Sequence, residues 1–218
     1  MFATKKPRRS VRVTLMWGAG LVAGASLAAS CSGPPRNESL QQSAETQGEH
    51  PMKTTGTVIA VTSSGFQDGQ PIPQKFTEDG ADVSPPLAWT YTPKGTRQWA
   101  LICDDPDAPT PMPWVHWVIY AIPGEIRSLP EGVEPAEKLA SLQGALQGKN
   151  SWPSGQTIGY RGPAPPKGHG VHHYHFKLYA LDTALSLKPE LTKEALETAI
   201  EGHILGTGEL IGTYERKK

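Results

Sequence analysis

Glycine and proline set the first limit on this chain: 23 glycines and 21 prolines are spread over 218 residues with no G-x-y repeat. Proline cannot continue a helix or donate to a sheet ladder, and glycine weakens the interior of either element. Such a chain holds short elements joined by many turns, which points to an all-β or β-dominated domain. The length suits one sizeable domain with its own core and is too short for two comfortable ones.

Within that frame, Thr57-Val58-Ile59-Ala60-Val61-Thr62 is short and rich in β-branched residues and predicts a first strand. Further strands are expected over Gln98–Cys103, Val115–Ile122 and Tyr174–Leu181. In the last of these, Tyr174, Phe176, Leu178 and Ala180 alternate with His175, Lys177 and Tyr179, giving a strand with two distinct faces. One helix is expected late in the chain. Thr192 is placed to cap it, Glu194 falls in its first turn, and Ala195, Leu196, Ala199, Ile200, His203 and Ile204 recur at helical spacing. A second, weaker helical pattern runs from Pro135 to about Gln147.

The first 55 residues read differently. Lys5, Lys6, Arg8, Arg9 and Arg12 precede an apolar, Ala- and Gly-rich run from Val13 to Ala29, the order of an export signal. Leu27-Ala28-Ala29-Ser30-Cys31 follows the pattern of a bacterial lipobox, although Ala28 stands where leucine is usual. The expectation is a signal and lipobox over 1–31, lipidation of Cys31, a polar tether over 32–55 and a folded domain over 56–218. The product would be an exported lipoprotein of the cell envelope, or a soluble periplasmic or secreted protein if cleavage occurs nearby without lipidation.

Charge excludes one class of partner. The chain carries 21 basic and 21 acidic residues. Five of the cations belong to the first dozen residues, so the remainder is acidic and a poor match for nucleic acid, whose affinity comes from basic surface. Cys31 and Cys103 are the only cysteines. With Cys31 lipidated no intramolecular disulfide is available, and Cys103, inside the apolar run Trp99-Ala-Leu-Ile-Cys103, is expected to be a buried, inert thiol.

The chemistry concentrates in two stretches. One is Asp104-Asp105-Pro106-Asp107-Ala108-Pro109 with Trp114-Val115-His116-Trp117 close behind; the other runs from Gly159 through Pro165-Pro166-Lys167-Gly168-His169-Gly170-Val171-His172-His173-Tyr174. Proline-stiffened loops next to strands, carrying acids and imidazoles, describe a rigid polar pocket that loses little entropy on binding. Histidine suits a phosphate-like ligand because it donates from its ring nitrogens and a neighbouring carboxylate orients it, while a tyrosine hydroxyl adds a donor. The acids Asp105 and Asp107 are expected to shape their turn and orient His116.

These segments, in this order, resemble the signature of the phosphatidylethanolamine-binding protein family, which includes Raf kinase inhibitor protein. Ile72-Pro-Gln-Lys-Phe76, Ser84-Pro-Pro-Leu87, Gly202-His-Ile-Leu205 and Gly212-Thr-Tyr214 resemble its bacterial Raf-kinase-inhibitor-like branch, so the likeness spans roughly Gly56 to Lys217. The resemblance implies a large central antiparallel sheet packed against a smaller one, with a few short helices towards the C-terminus. It also implies a non-catalytic pocket for phosphate or a phospholipid head group, with no cofactor and no metal. Carried over by position, its ligand-binding residues are Asp105, Asp107, His116, Pro166, His172 and Tyr174. His173 departs from the pattern, where arginine is common. Kinase inhibition does not transfer, because the eukaryotic C-terminal segment is largely lacking.

Two other classes compete. His169, His172, His173 and His175 crowd within seven residues and, with Asp105 or Asp107, are candidates for a metal-dependent enzyme. Strand alternation, however, sends His173 and His175 to one face and His172 to the other, and neither HExxH nor G-x-S-x-G occurs. The remaining alternative is an envelope or surface protein that modulates a partner protein, of which the protein partner is not identified by any motif.

Overall fold

The computed structural model describes residues 56–218. The expected export signal, the lipid site at Cys31 and the tether lie outside the described residues. In chain order the strands are β1 (Thr57–Thr62), β2 (Gln70–Pro71), β3 (Leu87–Trp89), β4 (Gln98–Asp105), β5 (Trp114–Pro123), β6 (Ser128–Leu129), β7 (Lys138–Leu139), β8 (Ala145–Gln147) and β9 (His172–Leu181). A single α-helix among the described residues, α1 (Lys193–Ile200), precedes the last and longest strand, β10 (Ile204–Tyr214), and two short 3-10 turns cover Gln74–Phe76 and Ala140–Leu142. The fold is mainly β, as composition and resemblance both led us to expect.

The strands join in the order β6-β3-β1-β10-β9-β4-β5-β8-β7, with β2 beside β10. Pairings are antiparallel except that β1 and β2 each run parallel to β10. The ladder does not lie flat. Trp89 on β3 and Trp99 on β4 are four ladder steps apart, about 19 Å in an uncurled sheet. Their rings nevertheless meet with centroids 5.3 Å apart. The sheet therefore curls at β1, folding the small β1-β3-β6 sheet over the large one and trapping Ile59, Leu87 and Trp89 against Leu101, Phe176 and Leu178. On the other face of the large sheet, Ile102, Val118, Tyr120 and Tyr179 are covered by Leu196 and Ile200 of α1.

That helix is capped as expected, with the Thr192 side chain accepting from the Ala195 N–H at 3.3 Å. It stops at Ile200 and does not reach Ile204, because Gly202 adopts φ +79° and turns the chain directly into β10. The helix expected over Pro135–Gln147 is not formed. This segment is the β7–β8 hairpin, turned at Gln143 and Gly144, which have φ of +53° and +93°. Tertiary hydrogen bonding overrides the local pattern there. The buried amide of Gln147 accepts from Trp117 Nε1 at 2.7 Å and donates to the carbonyls of Glu134 and Ala136 at 2.7 and 2.8 Å.

Behind the sheet, the fully buried carboxylate of Asp104 accepts from Lys193 at 2.5 Å and from Lys177 at 3.2 Å through Oδ2. Lys177 also lies 3.0 Å from Oδ1 without aligning as a hydrogen bond, so that oxygen has no hydrogen-bond partner. Burial alone would push the Lys193 ammonium down, but the Asp104 bond outweighs it and holds the lysine above its usual range.

Candidate functional site

Topology brings the two motif stretches together. In the order β10-β9-β4-β5 every neighbour is antiparallel, so the ends of β10 and β4 and the beginnings of β9 and β5 share one edge of the sheet. Asp105 ends β4, Trp114 and His116 open β5, His172 and Tyr174 open β9, and Arg216 follows β10. Loops carrying Pro109, Pro165 and Pro166 close over this edge and leave a cavity of about 290 Å³. Its walls include Asp105, His116, Pro166, His172 and Tyr174, with Glu78, Trp114, Trp152 and Arg216.

His116 reaches this cavity through a β-bulge. Cys103 faces Trp117 and Asp104 faces Val115, leaving His116 as the extra residue of β5. Simple alternation would send His116 to the face of Val118. Instead Val115 packs behind the sheet, while His116 and Trp117 both turn to the front. The His116 ring stands edge-on to Tyr174, with centroids 5.0 Å apart, and to Trp152 at 5.1 Å. Its Nδ1 donates to the Arg161 carbonyl at 2.7 Å. Burial pushes its pKa down, outweighing the upward pull of that carbonyl and of Asp105. The ring is therefore neutral near pH 7, and its Nε2 is an acceptor.

Asp105 does not orient His116, as the sequence suggested; it orients His172. Asp105 Oδ2 accepts from His172 Nδ1 at 2.7 Å, and Oδ1 accepts from the Asp107 N–H at 2.9 Å, closing the Asp-Pro-Asp turn. Both partners of the histidine pair are buried. The other nitrogen of His172, Nε2, lies 2.7 Å from Nδ1 of His169. Asp107 stands outside the cavity wall. Its Oδ2 is 2.8 Å from the backbone nitrogen and 2.7 Å from Nδ1 of exposed His173. Burial opposes ionisation of Asp107, but the bonds from His173 prevail and hold its pKa below the usual range.

Tyr174 is the least satisfied group at the site. The residue is 1 % exposed, and its hydroxyl has no hydrogen-bond partner. Burial, reinforced by the Asp105 charge, pushes its pKa far up, so the hydroxyl keeps its hydrogen and is a free donor. Cations and acids at the rim are already paired. Arg161 bridges to Glu78 and stacks 4.5 Å over Trp152, while Arg216 Nε donates to Asp79 at 2.7 Å. The Gly162 N–H beside them donates to Asp82 at 2.7 Å. A Cβ on Gly162 would lie 2.3 Å from the Phe76 carbonyl, so only glycine permits this approach.

The histidine cluster divides between the two faces as strand geometry requires. His172 faces the cavity, whereas His173 bonds Asp107 and His175 bonds Glu209. Among the described residues no group of three or more His, Cys, Asp or Glu side chains is arranged around a common point to hold a metal ion. Cys103 is buried and its thiol is pushed well up by burial. Glu78, Trp152 and Arg216 are the site residues that sequence reasoning did not single out, and His169 entered it only as a metal-ligand candidate. Trp152 follows a polar Lys-Asn-Ser run and Arg216 sits in a charged tail, so neither carried a signal of its own.

The sequence profile described as phosphatidylethanolamine-binding protein matches residues 62–215. A UPF0098 protein of Methanothermobacter thermautotrophicus is 50% identical over 151 residues, covering 69% of this chain and 95% of the relative. A UPF0098 protein of Pyrococcus abyssi is 44% identical over 162 residues, covering 74% and 88%. Among solved structures, YbcL of E. coli, described as a new member of the mammalian PEBP family, superposes with a TM-score of 0.66 at 30% identity over 72% of this chain and 98% of its own. The PEBP homologue CT736 of Chlamydia trachomatis gives a TM-score of 0.64 at 37% identity over 73% and 98%.

Proposed function

Because this chain belongs to the phosphatidylethanolamine-binding protein family, we propose that its cavity binds a small phosphate-like anion, free or as a phospholipid head group, and that binding is its activity. The observation that carries this reading is the Tyr174 hydroxyl, a buried donor at the cavity wall with nothing to bond. An unsatisfied buried hydroxyl costs about 1–3 kcal/mol, and a ligand oxygen relieves that cost. Neutral His116 contributes an acceptor, so a hydrogenphosphate monoester, with several acceptor oxygens and one hydroxyl, matches the available groups better than a fully ionised anion.

Catalysis has less to work with. Both nitrogens of His172 are engaged within the protein, and the Cys103 thiol is sealed in the core. Two or three charge-assisted bonds of about 1.5–3 kcal/mol each, set against the cost of association, give a dissociation constant on the order of millimolar for a bare phosphate. Tighter binding then depends on apolar contacts from a larger ligand with walls such as Trp114 and Trp152. Titration with inorganic phosphate and with phosphoethanolamine, followed by amide NMR, is the test. Shifts grouped on the amides of Asp105, Asp107, Ala108, Thr110, Ala164 and residues 172–174 support the cavity, and their absence at tens of millimolar ligand refutes it.

Lipidation of Cys31 and display at the cell envelope belong to the same proposal and rest on the N-terminal sequence alone. Globomycin-sensitive processing of the chain in a bacterial host is the expected result; insensitive processing removes the anchor.

A further inference from the structure

An imidazole has two hydrogen-bonding atoms, and in His172 both are taken. Nδ1 bonds the Asp105 carboxylate and Nε2 meets His169 Nδ1, each at 2.7 Å. The first partner is built in: Asp105 is buried and braced by the Asp107 N–H. The second is not. His169 is exposed, and the flanking glycines, Gly168 and Gly170, have φ of +74° and +99°. Its backbone is nonetheless pinned, since Gly168 N–H donates to the Arg216 carbonyl at 2.8 Å and His169 N–H to the Pro166 carbonyl at 3.1 Å. The side chain can leave His172 without moving the loop and without opening the core.

From this geometry we infer that His169 is an internal competitor for the ligand, occupying the one nitrogen of His172 that an anion needs and yielding it when an anion binds. The inference rests on the reading of the cavity as an anion site and adds to it a residue that limits affinity. Because Nδ1 donates to the Asp105 carboxylate, Nε2 of the neutral ring is an acceptor, so a ligand hydroxyl such as that of hydrogenphosphate must exchange the His169 Nδ1–H contact for its own bond to His172 Nε2. Binding is therefore weaker than the cavity alone would give, by about the worth of one hydrogen bond. Ligands that give no hydrogen bond to His172 Nε2 escape this competition.

The test compares wild type with His169→Ala, a change at an exposed position, in titrations with inorganic phosphate at one fixed pH. Removing the competitor is expected to tighten phosphate binding about two- to tenfold, equivalent to one neutral hydrogen bond of about 0.5–1.5 kcal/mol. A spectroscopic readout accompanies it: in wild type, saturating phosphate shifts the His169 ring resonances to those of a free, solvated imidazole. Equal affinities overturn the inference and leave the cavity reading standing. Weaker binding by His169→Ala also overturns it, by making His169 a donor to the ligand. If neither protein responds to phosphate at residues 172–174, the cavity reading falls and the competitor with it.

Discussion

Tyr174→Phe separates binding from stability, because it removes one oxygen and leaves the ring. That ring stands edge-on to His116 and lies in the main core beside Phe176, so phenylalanine fills the same space. The lost hydroxyl has no partner in the folded protein. Its removal relieves a desolvation cost of about 1–3 kcal/mol, partly offset by whatever water reaches it, so a net gain of about 1 kcal/mol is expected. For a domain of this size that gain raises Tm by about 2–4 °C. Phosphate binding moves the other way: loss of one bond to a charged oxygen, worth about 1.5–3 kcal/mol, weakens affinity about 10- to 100-fold. Scanning calorimetry and amide NMR titration read the two effects on the same sample. A fall in Tm would mean that the hydroxyl is already used by the fold. A rise in Tm with unchanged affinity would place the anion away from Tyr174.

Two further perturbations probe the surroundings. The buried ring of His116 has a folded pKa below its usual value. As pH falls through the unfolded value of about 6.5, the unfolded chain takes up a proton that the folded ring refuses, so stability drops by at most about 1.4 kcal/mol per pH unit until the folded pKa is reached. Urea denaturation over a pH series is expected to show a shallower decline for His116→Gln than for wild type, and parallel curves would contradict this. Lys193→Met leaves the buried Asp104 carboxylate with Lys177 as its remaining cation, which is expected to cost about 3 kcal/mol in urea denaturation; a neutral effect would show that Lys177 alone suffices.

Much of this architecture was legible in the sequence, and the exceptions share a cause. Strands whose period is visible, such as Tyr174–Leu181, form where expected because one face must be buried. The longest strand, β10, carries no such sign, since Gly206, Gly208 and Gly212 interrupt its apolar residues. Those glycines answer to neighbours remote in sequence: a Cβ on Gly208 would lie 2.3 Å from the Ile59 carbonyl of β1. The β7–β8 hairpin was read as a helix because the pull of Trp117 on Gln147 has no local trace. At the site, the motifs identified the wall residues Asp105, His116, Pro166, His172 and Tyr174, but not which acid serves which histidine. That pairing depends on β9 lying beside β4, and strand order cannot be read from one sequence. His169 entered the sequence reading only among the metal-ligand candidates, and its contact with His172 depends on how the glycine-flanked loop folds back, which has no local trace.

The bulge in β5 has a consequence for how relatives are compared. Val115 and His116 are adjacent in the chain but lie on opposite sides of the sheet, and only one supernumerary position separates a sealed valine from a pocket imidazole. Sliding an alignment gap by one step across Trp114–Trp117 would exchange their roles while barely altering the alignment score. For proteins of this shape, the count of residues in that short stretch therefore carries as much information about ligand chemistry as the identity of the histidine itself.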